Sequence, residues 1–140
     1  MGYLEQFRGR FIGIMQWQDC NDLLGTLKSN PDEWYIYNTE EVVPSETATP
    51  SNFISQLNGI KEILTTQHQE RYCGIVYTDN LDKPSFVKIF HPKNLGKVCG
   101  YSDNPPLPRW VLSKTKPIDV VQEFGTPKVE TGFISKLFKF

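Results

Sequence analysis

No two of the three cysteines, Cys20, Cys73 and Cys99, stand close enough in sequence to form the C-x2-C pair typical of structural zinc sites. Only two histidines, His68 and His91, are available to complete a ligand set. A metal centre built from Cys73, His91, Cys99 and His68 is therefore not expected, and no other cofactor is implied. Cys73, inside YCGIVY, reads as a small buried hydrophobe. An odd cysteine count suits reduced thiols, and charges at Glu5, Arg8 and Arg10 break up the opening stretch. A cytoplasmic protein without a secretion signal is the expectation. Met1-Gly2 does not begin a myristoylation motif, because Gln6 occupies the position that needs Ser or Thr. No apolar run approaches the ~20 residues of a membrane span. P-loop, RNA-recognition and dinucleotide-fold signature peptides are missing, as are internal repeats and low-complexity segments.

A dominant charge of one sign is missing too. The net charge of −1 and a pI near 6.1 argue against a surface covered in nucleic-acid-binding cations. That near-neutrality hides an internal polarity. Residues 83–116 carry Lys83, Lys88, Lys93, Lys97, Arg109, Lys114 and Lys116 against the single acid Asp103. Residues 1–82 hold 5 cations and 12 acids. Hydrophobic residues at 39% and charged residues at 22% place the chain among globular proteins. Its 140 residues suit one domain with a core that needs no staples.

Periodicity predicts the elements. Residues 10–17 (RFIGIMQW) alternate with apolar groups on both sides, the pattern of a central strand. A helix capped by Asp19 follows to about Lys28, with Leu23, Leu24 and Leu27 on one face. An aromatic-rich strand spans 33–37, and the acidic, proline-containing segment 39–50 is an exposed loop. Thr49-Pro50 starts the clearest helix, which should run to about Gln69 and bury Phe53, Ile54, Leu57, Ile60, Ile63 and Leu64. Strands at 72–77 and 85–91, joined by TDNLDKP, predict an antiparallel hairpin. A further strand over 109–113 and a short helix over 117–124 complete the set. The fold class is α+β: a mixed sheet of about five strands in the order β-α-β-α-β-β-β-α, with helices packed on it. Residues 1–124 form the domain; 125–140 are a linker and an amphipathic tail.

Three constellations could carry function. The basic segment offers Lys93, Lys97, Arg109 and Tyr101, with Trp110 for apolar contact, to an acidic protein partner or a small anionic ligand. Lys88 with Phe86 and Phe90 adds the alternation of cations and aromatics that single-stranded nucleic acid requires. The acids of the first 82 residues oppose that reading, because nucleic-acid affinity rests on uncompensated cations. Cys99, flanked by Gly100 and near His91, Lys93 and Lys97, could act as a thiolate nucleophile with His91 as base, although no third group orients the histidine. The run Pro105-Pro106-Leu107-Pro108 matches polyproline ligand cores, but setting Trp110 into the core is the simpler role. In the tail, Phe133, Ile134, Leu137 and Phe138 share a helical face that either folds back or meets a partner groove or a membrane surface. The sequence thus predicts a small non-catalytic binding or regulatory domain that works through the 91–110 loop. The alternatives are a cysteine-dependent enzyme and a single-stranded nucleic-acid binder.

Overall fold

The computed structural model describes residues 2–68, 70–94 and 107–124. Five strands, β1 (Ile12–Ile14), β2 (Tyr35–Asn38), β3 (Val76–Thr78), β4 (Phe86–Ile89) and β5 (Trp110–Ser113), form one sheet in the order β1-β3-β4-β5-β2. All four ladders are antiparallel. The α+β class and the hairpin of β3 and β4 match expectation, while the parallel crossovers that the element order leaves open are not used.

The reason lies in where each helix returns the chain. Helix α2 (Trp17–Ser29) carries it from edge strand β1 to the opposite edge, β2, and α3 (Pro50–Gln67) carries it back to β3. Both helices cover one face. Leu23, Leu24 and Leu27 of α2 and Phe53, Leu57, Ile60 and Leu64 of α3 join Ile14, Val76, Val87, Ile89, Trp110 and Leu112 in the main core. Helix α3 starts where the sequence says: Thr49 caps it, its side chain accepting the Asn52 amide at 3.2 Å, with Pro50 in the first turn. Trp34 and Phe53 stack with ring centroids 5.4 Å apart, fixing β2 against α3.

The period-2 alternation of the strands sends Tyr37, Phe86, Val111 and Lys88 to the other face. There they meet α1 (Tyr3–Phe7) and α4 (Val120–Phe124) through Tyr3, Phe7 and Val120. Helix α1 has no counterpart in the sequence reading. Its five residues are too few for a helical period to show, and its placement depends on Tyr3 and Phe7 packing against Phe86.

Two local expectations are corrected. Strand β1 is an edge strand rather than a central one, and Ile12 and Met15 remain 44% and 53% exposed. Of its three residues only Ile14 is buried, against the α2 leucines, so burial on both sides does not follow. Trp17 opens α2 rather than closing a strand, with Gln16 at the N-cap, and donates its indole N–H to the Glu70 carbonyl at 3.1 Å.

Candidate functional site

Among the described residues the cations of 83–116 do not form a continuous patch; the antiparallel ladders distribute them. Lys88 points into the α1 face. Its ammonium lies 4.2 Å from the ring centres of both Phe7 and Phe11, and burial pushes its pKa down to about 8. Phe86, expected to offer a stacking surface beside it, is 1% exposed beneath Tyr3. Lys83 and Lys114 lie at one end of the sheet, because the pairing of Phe86 with Ser113 brings their strand ends together. Lys93 and Arg109 lie at the other end, where Ile89 pairs with Trp110.

At that second end, four of the candidate residues converge. The Arg109 amide donates to the Ile89 carbonyl at 2.9 Å and its carbonyl accepts the Thr39 amide at 2.9 Å, which holds the residue between β4 and β2. The Thr39 hydroxyl donates to the Pro108 carbonyl at 2.8 Å. The Arg109 guanidinium sits 5.4 Å from the centre of the Trp110 ring, which His91 stacks against at 6.1 Å and an interplanar angle of 26°. Trp110 is 6% exposed and belongs to the main core, so it acts as a platform for these two side chains more than as a free surface. Arg109 Nη2 pairs with Glu40 Oε1 at 3.2 Å, a carboxylate supplied by the acidic 39–50 loop. His91 Nδ1 accepts the Lys93 amide at 3.1 Å, which leaves the neutral ring's proton on Nε2. Burial, then the positive charges of Arg109 and Lys93, hold the His91 pKa below its usual value, with Glu40 pulling the other way. Lys93 is exposed, and among the described residues no carboxylate meets it. The expected contacts Lys97 and Tyr101, the candidate nucleophile Cys99, Pro105 and Pro106 of the proline run and the 132–140 tail lie outside the described residues, as does the boundary at 125.

The opposite end carries what the sequence reading missed. A cleft of about 380 Å³ is lined by Thr26, Asn30, Trp34, Asp82, Lys83 and Lys114. The Lys114 ammonium donates to the Asp32 carbonyl and lies 4.6 Å from the centre of the Trp34 ring. A second cleft of about 340 Å³ shares Thr26 and Asp82 and adds Asp19 and Asp22. Antiparallel pairing of β4 with β5 was the available signal, since it puts residues just before the one strand beside those just after the other. Among the described residues no group of three potential ligands could hold a metal, and no helix is long and apolar enough to cross a membrane.

Cys73 and His68 lie just before β3, where the Cys73 amide donates to the Met15 carbonyl at 2.7 Å. His68 Nε2 donates to the Cys73 and Tyr72 carbonyls at 2.7 and 3.0 Å, so a buried ring satisfies backbone groups there. The chain matches no protein-family model, no curated protein and no solved structure.

Proposed function

We propose that this protein is a small non-catalytic recognition domain that takes an acidic or anionic group at the sheet end formed by His91, Lys93, Arg109 and Trp110, with Lys97 and Tyr101 of the same loop as further contacts. The observation that carries this reading is the Arg109–Glu40 pair, whose side chains are 28% and 67% exposed. An ion pair so open to water is worth only about 0–1 kcal/mol, so an incoming carboxylate or phosphate can displace Glu40 at little cost. The Trp110 ring lies 5.4 Å from the guanidinium, whose planar fork suits bidentate binding of such a group. His91 offers its Nε2–H, and Lys93, which no carboxylate among the described residues meets, supplies a positive charge beside it.

The hydrogen bond on Nδ1 also favours His91 as a donor over the base that a cysteine enzyme would need. Single-stranded nucleic acid is less well supported, because the cations are dispersed over three surfaces and Phe86 is buried.

Titration of the 15N-labelled protein with inorganic phosphate and with a poly-glutamate peptide at low salt tests the reading. Shifts should concentrate at His91, Lys93 and Arg109, and Arg109→Gln should weaken binding about tenfold or more. Undisturbed signals at these residues would overturn it. A steeply salt-dependent preference for single-stranded DNA would replace it with the nucleic-acid alternative.

A further inference from the structure

One face of helix α2 lines a groove. Asp19, Asp22, Leu23, Thr26, Leu27 and Asn30 recur at the three- and four-residue spacing of a single helical stripe, and only the two leucines are buried. The first four line the smaller cleft, and the last three line the larger. Both clefts include Thr26 and Asp82, so they meet there and run on along the helix. From Asp19 to Asn30 the chain rises about 16 Å. The opposite wall is β1 and the β3–β4 connection: Ile12, Gly13 and Leu81 beside the smaller cleft, Lys83 and Pro84 with Lys114 beside the larger.

Charge changes sign along this groove. The smaller cleft holds Asp19, Asp22 and Asp82 and no cation, whereas the larger holds Lys83 and Lys114 against Asp82. Among the described residues none of these five forms an ion pair; Asp22 Oδ1 accepts only the neutral Gln18 amide, at 3.0 Å. The cationic end is held in place. Asn80 Oδ1 accepts the amides of Asp82 and Lys83, each at 2.8 Å, and the Lys114 amide donates to the Ser85 carbonyl at 3.0 Å. Glu33 takes φ of 63°, a left-handed conformation uncommon outside glycine. It stands between Asp32, whose carbonyl accepts the Lys114 ammonium, and Trp34, whose ring centre lies 4.6 Å from that ammonium. The Thr26 and Asn30 carbonyls at the end of α2, which would oppose an anion, already accept Asn30 Nδ2 at 3.1 Å and Trp34 Nε1 at 2.8 Å.

We propose that this groove binds a short peptide of three or four residues by its two free ends, the carboxylate at Lys83 and Lys114 and the ammonium at Asp19, Asp22 and Asp82. The inversion of charge selects the ligand class, because a molecule with charge of one sign would satisfy one end only. Size agrees. An extended peptide of that length spans roughly 10–13 Å at about 3.3 Å per residue, within the length of the stripe. The clefts, of about 380 and 340 Å³, are each large enough for part of it. Exposed Ile12 and Leu81 offer apolar contact to its side chains between the ends. The site is separate from the one at His91 and Arg109. A peptide blocked at its amine keeps the carboxylate that site would take and loses half of what this one recognises.

The test titrates the 15N-labelled full-length chain with four forms of the tripeptide alanyl-leucyl-alanine: free at both ends, N-acetylated, C-amidated and doubly blocked. At about pH 6.5 the free amine carries its proton. The free peptide should shift the amides of Gly13, Thr26, Asp82, Lys83 and Lys114. Blocking either end should weaken binding about fivefold, the most that an exposed ion pair gives, and blocking both should remove these shifts. Any shift at His91 and Arg109 should survive acetylation. Lys114→Gln should weaken the free peptide about fivefold and leave the amidated one unchanged; Asp22→Asn should weaken the free peptide and leave the acetylated one unchanged. A merely structural effect of either substitution would lower both peptides alike and so overturn the assignment of that residue. Groove shifts equal for all four forms, shifts confined to His91, Lys93 and Arg109, or no groove shift with the free peptide at about 10 mM would each overturn the proposal. The series on the unaltered chain decides this without any variant.

Discussion

Arg109 Nη2 lies 3.2 Å from Glu40 Oε1, and the same arginine's Nε donates to Asn38 Oδ1 at 3.3 Å. Asn38 Oδ1 also accepts the Glu40 amide at 3.0 Å, so a single carboxamide oxygen sets the turn that presents Glu40 and steadies the guanidinium that it faces. Glu40 is thereby a built-in competitor for whatever anion the site takes. Glu40→Gln should raise affinity for inorganic phosphate several-fold and change stability by less than about 1 kcal/mol. Because Glu40 raises the His91 pKa, the variant should also shift His91 titration to lower pH, and bound phosphate should move it back up. A phosphate titration and the His91 ring signals against pH check both. Unchanged affinity would mean that Glu40 does not guard the site.

Lys88 makes a different kind of prediction, about stability. It sits on the central strand β4 opposite Tyr77 and Val111, under Phe7 and Phe11, and among the described residues it has no carboxylate partner. Two cation–π contacts offset the loss of hydration only in part, which is why burial brings its pKa from 10.5 to about 8. Below pH 8 both folded and unfolded chains carry the proton, and the folded state bears the full cost of the buried charge. Between about pH 8 and 10.5 the folded state has released the proton while the unfolded state still holds it, so stability rises with pH. The rise should be on the order of 2–3 kcal/mol. Tyr3, whose pKa burial raises, works in the opposite sense above pH 10 and should turn the curve over. Lys88→Met should remove the rise and stabilise the protein at pH 7 by a similar amount. Urea unfolding at pH 7, 8, 9 and 10 measures both, and a wild-type curve flat over that range would refute the assignment.

The parts legible from the sequence were those where a local signal and the tertiary contact agree. Thr49-Pro50 announces α3, and its stripe of Phe53, Leu57, Ile60 and Leu64 is the buried face; Ile54 and Ile63, at the margins of that stripe, are only half-buried. Strand identities came through for the same reason. Their order did not, because β1 and β2 are separated in the sheet by three strands that come later in the chain. Arg109 could be singled out as a cation near a proline-rich loop, but its partner Glu40 lies in a segment with no packing pattern of its own. Cys73 was legible as buried. That Cys20, in the first turn of α2, joins it in the main core was not, since a core shared between a helix and a strand-entry segment leaves no spacing to read.

Asp79 follows the last residue of β3 in the connector to β4, where turn-forming residues alone mark its importance in sequence. Its Oδ1 accepts the amides of Ser85 and Phe86 at 3.0 and 3.1 Å, and its Oδ2 accepts the Ser85 hydroxyl at 2.6 Å. Its own amide donates to the Phe86 carbonyl at 3.0 Å. One carboxylate therefore closes the β3–β4 connection and holds in place the loop that carries Asp82 and Lys83 to the rim of the larger cleft. Charge-assisted bonds to partly buried amides are worth more than neutral ones, and removing the acceptor strands the donors. Asp79→Ala should cost about 2–3 kcal/mol, while Asp79→Asn, which keeps one carbonyl oxygen, should cost about half as much. Hydrogen exchange discriminates this role from general core damage. The Ser85 and Phe86 amides should lose protection in Asp79→Ala while the Val87 and Ile89 amides of β4 exchange only with global unfolding. Equal loss of protection along the whole strand would show that Asp79 supports the sheet as a unit and not the connection alone.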